Sequence, residues 1–220
     1  MNKKNIFLTL LLAISVKLWC HAGELRMFTI MLDPAGDARE TGRTIEDSLE
    51  RAITVQFAHQ LQEAIPLYLP DSKTIITRTP GEELQPFQRA NFANRMPVSL
   101  YLNINVVYAP DKKPTLYLYQ FSLGDLFKTP SHELAMVPYD KAHQKSACQT
   151  TAYGKKINSF LSRKEYQRIF LTQDLYQLPF APLIGIQAPA LGLEISIPSK
   201  TEWKNFVQPI AQSIAFALES

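Results

Sequence analysis

The stretch MFTIMLDPAGDARETGRTIEDSLERAITVQFAHQLQEA, residues 27–64, decides the fold of the chain. Residues 27–32 are an apolar run typical of a buried strand. The sequence Asp-Pro-Ala-Gly at 33–36 ends it, because proline lacks an amide donor and glycine tolerates unusual backbone angles. Beyond a polar loop, apolar residues recur every four positions, which predicts a helix over 44–64 with one face packed on a sheet. These apolar positions are Ile45, Leu49, Ile53, Phe57 and Leu61.

The rest of the chain alternates between predicted strands and helices. Runs rich in β-branched and apolar residues predict strands at 74–78, 98–105, 115–121 and 188–197, and apolar spacing predicts helices at 141–161 and 203–218. Pro66 and Pro70 predict a turn, residues 163–176 a helix or turn, and residues 122–140 an irregular loop. This order predicts a three-layer α/β sandwich, with a mixed, largely parallel sheet and helices on both faces.

The N-terminal segment has the pattern of a secretory signal. Lys3 and Lys4 precede an apolar run at 6–16 that is too short for a stable membrane-spanning helix, and Ala22 offers a small residue for cleavage. The sequence therefore predicts a signal peptide at 1–22 and one domain at 23–220, secreted or periplasmic, with no membrane span after cleavage. An uncleaved membrane anchor is the alternative.

The excess positive charge of the chain lies in that signal. The formal charge is +3, from 23 Lys and Arg against 20 Asp and Glu, and removal of Lys3, Lys4 and Lys17 leaves 20 against 20. Because no basic run is left, the sequence argues against a nucleic-acid partner. Cleavage also leaves Cys148 as the lone cysteine. An internal disulfide is then excluded, and Cys148 is predicted to be a small buried group within a helix.

The segment 33–58 resembles the start of the zinc-dependent N-acetylmuramoyl-L-alanine amidases, which cut the bond between sugar and peptide in the bacterial cell wall. In that family the first strand ends in Asp-Pro-Gly-His, and the following helix opens with a glutamate and a run ending in alanine. The matching segments here are 33–36 and 50–58. Later segments resemble the family in the same order, at Thr-Arg 77–78, the helix around Arg89, the strand 101–105 and Pro-Ala-Leu-Gly-Leu-Glu 189–194.

The resemblance implies a site in which two of three zinc ligands are missing. Gly36 and Asn103 stand where the family has histidines, and Glu50 matches the glutamate ligand. Glycine offers no side chain and an amide oxygen is a poor zinc ligand, so no cofactor is expected although the family uses zinc. Glu194 matches the catalytic acid/base of the family, but without a metal-bound water its activity is impaired. The resemblance also makes Arg78 and Asn105 candidate binding residues.

Other residues could restore a cation site or serve the fold instead. His132 and His143 could fold back onto the site, whereas His59 lies about 13 Å beyond Glu50 along the predicted helix. A hard cation such as Ca²⁺ could use oxygens from Asp33, Asp37, Glu50 and Asn103. For Arg78 and Arg89 the structural interpretation is that each holds loops by hydrogen bonds. The alternating Tyr117, Tyr119 and Phe121 are interpreted as one packed strand face rather than a sugar platform.

The sequence thus predicts an exported amidase-like protein that acts on or binds peptidoglycan, without zinc and catalytically impaired. Its predicted partner is peptidoglycan or a cell-wall enzyme. One alternative is an active peptidoglycan amidase with a reorganised metal site. The other is an envelope scaffold protein whose cleft is vestigial.

Overall fold

A six-stranded sheet organises the chain, for which a computed structural model describes residues 27–123 and 138–219. The strands are β1 (Phe28–Pro34), β2 (Thr44–Ile45), β3 (Ser48–Leu49), β4 (Ser72–Ile76), β5 (Leu100–Tyr108), β6 (Thr115–Phe121), β7 (Leu171–Leu178) and β8 (Ala190–Ile197). The α-helices are α1 (Glu50–Tyr68), α2 (Pro86–Asn94), α3 (Ala147–Leu161) and α4 (Lys204–Glu219). Short 3₁₀ helices cover Tyr139–Ser146, Tyr166–Arg168 and Ala181–Leu183.

The sheet is mixed and largely parallel, as predicted. Its strand order is β4-β1-β5-β8-β6-β7, and β2 and β3 form a separate antiparallel pair. Strands β4, β1, β5 and β8 are parallel neighbours, whereas β6 runs antiparallel to β8 and parallel to β7. Because the four parallel strands point the same way, their carboxyl ends meet at one edge, where open α/β sheets usually bind ligands.

Helices cover both faces of the sheet, which confirms the predicted three-layer arrangement. The larger core joins Ile30 and Leu32 of β1 to α1, α3 and α4, and the smaller core joins Met31 to Ala90 and Ala93 of α2. Alternate residues of β1 therefore enter different cores. This two-sided burial explains why the strand reads as an unbroken apolar run instead of an alternating one.

The predicted start and end of the first helix are wrong. Residues 44–49 form the β2–β3 hairpin, with Glu46 at a positive φ of 52°, and α1 begins only at Glu50. Ile45 is still buried, because the hairpin tucks it into the same core that the helix would have reached. At the other end α1 continues through Pro66 to Tyr68, where the predicted turn should have been. A proline in the last turn disturbs only the end of the hydrogen-bond ladder.

Three predictions for the second half of the chain are also wrong. Residues 163–176 contain a 3₁₀ turn and most of β7, an edge strand that is hydrogen-bonded to β6. This segment is a strand because it pairs with β6, and the spacing of its own residues gives no sign of that pairing. Residues 141–146 belong to a 3₁₀ helix rather than to α3. Cys148 is exposed instead of buried.

Several predictions lie outside the described residues. They are the signal peptide 1–22, most of the loop 122–140, and His132 within that loop. Across 27–123 and 138–219, no helix combines the length and hydropathy that crossing a membrane requires.

Candidate functional site

The candidate site lies where the start of α1 meets strands β5 and β8. Glu50 is the first residue of α1, where a carboxylate is favoured by the helix dipole. Glu194 of β8 is the register partner of Asn105 in β5, so strand pairing sets its position. The residues matched to the amidase motifs are thus brought to one region by the helix start and two adjacent parallel strands.

Glu50 is buried, and each of its carboxylate oxygens accepts a hydrogen bond from a backbone amide. Its Oε2 accepts from the backbone amide of Arg43 at 3.0 Å, and its Oε1 accepts from the amide of Val106 at 3.0 Å. Gly42 lies against the carboxylate, since a Cβ built on it would sit 2.7 Å from Oε2. Glu50 therefore ties the loop after β1 to the middle of the sheet.

The side chain of Arg43 lies between the two glutamates. Its Nη1 is 3.5 Å from Glu50 Oε1, 3.2 Å from Glu194 Oε2 and 3.5 Å from the carbonyl oxygen of Val106. About half of the Arg43 side chain is exposed, while Glu50 is enclosed and Glu194 is mostly so. A guanidinium from the chain itself thus supplies the positive charge between two converging carboxylates, which otherwise would repel each other.

Glu194 has a second partner in Tyr119. The Tyr119 hydroxyl donates to Glu194 Oε1 at 3.1 Å. Burial raises the pKa of Tyr119 well above its ordinary value, and the adjacent Glu194 carboxylate raises it further, so the hydroxyl remains a donor. The Tyr119 ring stacks on Phe180 with centroids 4.9 Å apart and is parallel to the Tyr117 ring at 6.5 Å. Tyr119 therefore belongs to a packed aromatic face, as predicted, but its hydroxyl also orients Glu194.

Gly36 has no room for a side chain. Its φ is +73°, which L residues rarely adopt, and a Cβ would lie 2.8 Å from Arg51 Cβ and 3.1 Å from the Glu40 carbonyl oxygen. An imidazole at this position would displace the loop or the first turn of α1. The backbone around Gly36 therefore leaves no space for the histidine that the resemblance would place there.

The Asn103 side chain is hydrogen-bonded within a buried polar network. Its Nδ2 donates to Asp33 Oδ2 at 2.7 Å and to the Asp33 carbonyl at 3.1 Å, and its Oδ1 accepts from Asn105 Nδ2 at 2.7 Å. The other oxygen of Asp33 accepts from the Thr77 hydroxyl at 2.7 Å and lies 3.3 Å from Arg89 Nε. Asn103 thus serves as the donor that helps to balance a fully buried carboxylate.

The residues at the three matched positions do not fit a zinc ion. Gly36 contributes nothing, Asn103 has both amide groups engaged, and Glu50 has an amide donor on each oxygen. In the described part of the chain, no group of three or more His, Cys, Asp or Glu side chains has the arrangement of a metal site. The Asp37 carboxylate accepts hydrogen bonds from the backbone amides of Arg39 and Glu40, which belong to its own loop.

The described histidines lie elsewhere. His59 is exposed on α1, and His143 packs edge-on against Phe121 with ring centroids 4.7 Å apart. Burial lowers the pKa of His143, which favours the neutral imidazole. His143 thus belongs to the packing around β6.

Arg78 has the structural role predicted for it. It is buried, and it donates from Nε to the Pro34 carbonyl at 3.2 Å and from Nη2 to the Ala35 carbonyl at 3.0 Å. It therefore holds the turn after β1. A direct role of Arg78 or Asn105 in ligand binding stays a prediction.

Sequence reasoning missed Arg43, which the structure places at the centre of the site. A single basic residue in a polar loop carries no motif. The only available signal is its position seven residues before Glu50, on the loop that the resemblance places beside the site.

Comparisons with known proteins give fold-level matches. No family model and no curated protein matches the chain. Among solved structures, the N-acetylmuramyl-L-alanine amidase Ami1 from Mycobacterium smegmatis matches with a TM-score of 0.60 and 14% identity, covering 87% of this chain and 97% of that one. The catalytic domain of CwlV, an N-acetylmuramoyl-L-alanine amidase from Bacillus (Paenibacillus) polymyxa, matches with 0.56 and 16%, covering 87% and 96%.

A third match is an amidase solved with a partner. The CwlD amidase from Clostridioides difficile, in complex with the GerS lipoprotein, has a TM-score of 0.58 and 14% identity, covering 87% of this chain and 96% of that one. At these identities the likeness concerns the fold alone. The chain therefore has the mixed α/β fold seen in the catalytic domains of N-acetylmuramoyl-L-alanine amidases.

Proposed function

We propose that this protein is an exported, amidase-like protein that binds peptidoglycan without zinc and without amidase turnover. One observation carries the proposal: the Arg43 guanidinium lies between Glu50 and Glu194, the two acidic residues matched to the amidase site. Export is proposed from the signal-like segment 1–22.

The contacts of the site residues support the proposed loss of turnover. A zinc amidase needs three protein ligands and an open position for a water whose pKa the metal lowers. Here Glu50 is held by two backbone amides, and Glu194 accepts from Arg43 and Tyr119. Both oxygens of Glu194 accept from donors of the protein, so a water at either oxygen would compete with Arg43 or Tyr119. The chain's own residues therefore hold both glutamates in place, with one guanidinium between two carboxylates.

Binding of cell wall is supported by the fold and by the groups left at the surface. The similar structures are amidases, two of them named as N-acetylmuramoyl-L-alanine amidases and one solved with a lipoprotein. Arg43 is half-exposed beside the polar groups of Glu194 and Tyr119, so hydrogen-bonding groups remain accessible to a peptide or sugar. A protein partner, such as a cell-wall enzyme, would use the same surface.

Three measurements on the purified full chain test the proposal. We expect it to co-sediment with purified sacculi, to carry no stoichiometric zinc by elemental analysis, and to release no muropeptides. Arg43→Ala should weaken sedimentation several-fold, because it removes the exposed cation of the site. The matched control is Arg95→Ala, which removes an exposed arginine just after α2 and should leave sedimentation unchanged.

Two outcomes would overturn the proposal. One tightly held zinc per chain, with muropeptide release that Glu194→Gln abolishes, would identify an active amidase with a reorganised metal site. Failure of the folded protein to sediment with sacculi would instead favour an envelope scaffold with a protein partner.

A further inference from the structure

A pocket that neither Glu50 nor Glu194 lines opens between the first two turns of α1 and the loop after β4. Its volume is about 340 Å³, within the range of small-molecule sites in proteins. Arg51 and Gln56 line it from the helix, and Arg78 lines it from the loop. Neither Glu50 nor Glu194 reaches it.

The pocket is rich in unpaired positive charge. It is lined by two arginines and by no acidic residue. Within the described ranges, neither Arg51 nor Arg78 has a carboxylate at ion-pair distance. A cavity with this lining is attractive to an anion.

The guanidiniums of Arg51 and Arg78 each have N–H groups that make no hydrogen bond within the described structure. Arg51 uses Nη1 for the carbonyls of Asp37 and Ala38, which leaves its Nε and Nη2 without a bonded partner in the described structure. Arg78 uses Nε and Nη2 for backbone carbonyls, which leaves its Nη1. Two arginines thus supply free N–H groups around the same space, as recognition of a planar carboxylate requires.

The burial of Arg78 favours an anion in the pocket. Only 3% of this residue is exposed, and a buried guanidinium without an acid beside it is costly. Burial is the main cause that lowers the pKa of Arg78, and the Arg89 and Arg51 guanidiniums lower it further, while the Asp33 and Asp37 carboxylates oppose these effects. A carboxylate bound in the pocket would form an ion pair with Arg78.

We propose that this pocket binds a small organic carboxylate with a short apolar body. The walls between the two arginines are built from Ala52, Val55 and Pro80, which suit an aliphatic group and offer nothing to a fully hydrated inorganic anion. The carboxylate could belong to a free monocarboxylic acid or to the C-terminus of a peptide. This inference is independent of the proposed function, because it uses neither glutamate.

Amide resonances of the full chain, recorded by ¹H–¹⁵N correlation, test the proposal with four probes. Isovalerate represents a free acid and N-acetylvaline a peptide C-terminus; N-acetylvalinamide and inorganic phosphate are the controls. We expect saturable shifts within 51–56 and 78–81 for at least one of the two carboxylates, and which one binds identifies the source. Equal affinity for the neutral amide, tighter binding of phosphate, or no saturable shift with either carboxylate would overturn the proposal.

Matched variants of α1 make the test specific. Arg51→Gln should weaken carboxylate binding about tenfold, as expected for loss of a charge-assisted hydrogen bond. Ala52→Glu places a carboxylate beside the two guanidiniums and should abolish binding without lowering the melting temperature. Gln60→Glu adds the same charge at an exposed position of α1 away from the pocket and should leave binding unchanged. Wild-type affinity in a folded Ala52→Glu protein would contradict the assignment.

Discussion

Nη1 of Arg43 lies 3.2 Å from Oε2 of Glu194, although 151 positions of sequence separate the two residues. The same nitrogen is 3.5 Å from Glu50 Oε1. Two carboxylates that converge on one point need a cation between them, and here that cation is covalently part of the chain. This arrangement links the loop after β1, the start of α1 and strand β8, and its energetic consequences are measurable.

A double-mutant cycle measures the Arg43–Glu194 interaction. Because half of the Arg43 side chain is exposed, solvent screens the pair, and we expect a coupling free energy of about 0.5–1 kcal/mol between Arg43→Ala and Glu194→Gln. Urea denaturation of the four proteins gives the value. In the control cycle, Arg95→Ala and Glu194→Gln should be additive to within about 0.3 kcal/mol. Equal coupling in both cycles would show that the contact contributes nothing specific.

Alanine substitutions at two glycines with positive φ distinguish the cost of backbone strain from the cost of steric crowding. Gly81 has φ +90° and open surroundings, so Gly81→Ala should cost about 1–2 kcal/mol of unfolding free energy from strain alone. Gly36→Ala should cost about 1–3 kcal/mol more, because its Cβ would also crowd Arg51 Cβ. Chemical denaturation provides both numbers.

The Gly36→His variant extends this comparison to metal binding. It should unfold still more easily than Gly36→Ala and take up no zinc. Zinc uptake by a stable Gly36→His protein would show that the loop opens without penalty.

Charge at position 103 should be strongly destabilising. Asn103→Asp would replace the Nδ2 donor to Asp33 with a second buried carboxylate, and we expect a loss of about 3–5 kcal/mol at neutral pH. Since one of the two carboxyls would then have a raised pKa in the folded state, the loss should shrink as the pH falls and that group binds a proton. Asn91→Asp, in α2, is the control and should change stability little. A pH-independent loss would exclude repulsion between carboxylates as the cause.

The Asp37 carboxylate should stabilise the loop after β1 in a pH-dependent way. Burial alone would raise its pKa, but hydrogen bonds from the amides of Glu40 and Arg39 outweigh this and lower it below the ordinary 3.8. A lowered folded-state pKa gives stability that is present above pH 3.8 and is lost as the pH falls through the folded-state value. The stability difference between wild type and Asp37→Asn should therefore be constant above about pH 5 and shrink below about pH 4.

Urea denaturation at pH 6 and pH 3 checks this expectation. The exposed turn residue Asp111 provides the control, since Asp111→Asn should show no such change between the two pH values. A difference between wild type and Asp37→Asn that grows on acidification would reverse the sign and refute the argument.

Most strand positions could be predicted because the central strands carry their own signal. Strand β6 has the predicted bounds, and β1, β5 and β8 lie within a few residues of theirs, since apolar runs buried on both faces are visible without knowing their neighbours. Strand β7 was not predictable in this way. Its residues are mostly exposed or half-exposed, and pairing with β6 is what makes the segment a strand.

Sequence by itself determined the α/β alternation, the absence of a side chain at Gly36 and of an imidazole at Asn103, and the presence of glutamates at 50 and 194. These follow from residue identity and local spacing. Only the tertiary structure decided what surrounds these positions: a guanidinium between the two glutamates, and a turn that leaves Gly36 no space. The physical reason is that ion pairs and close packing join residues far apart in sequence, so their partners depend on the path of the chain.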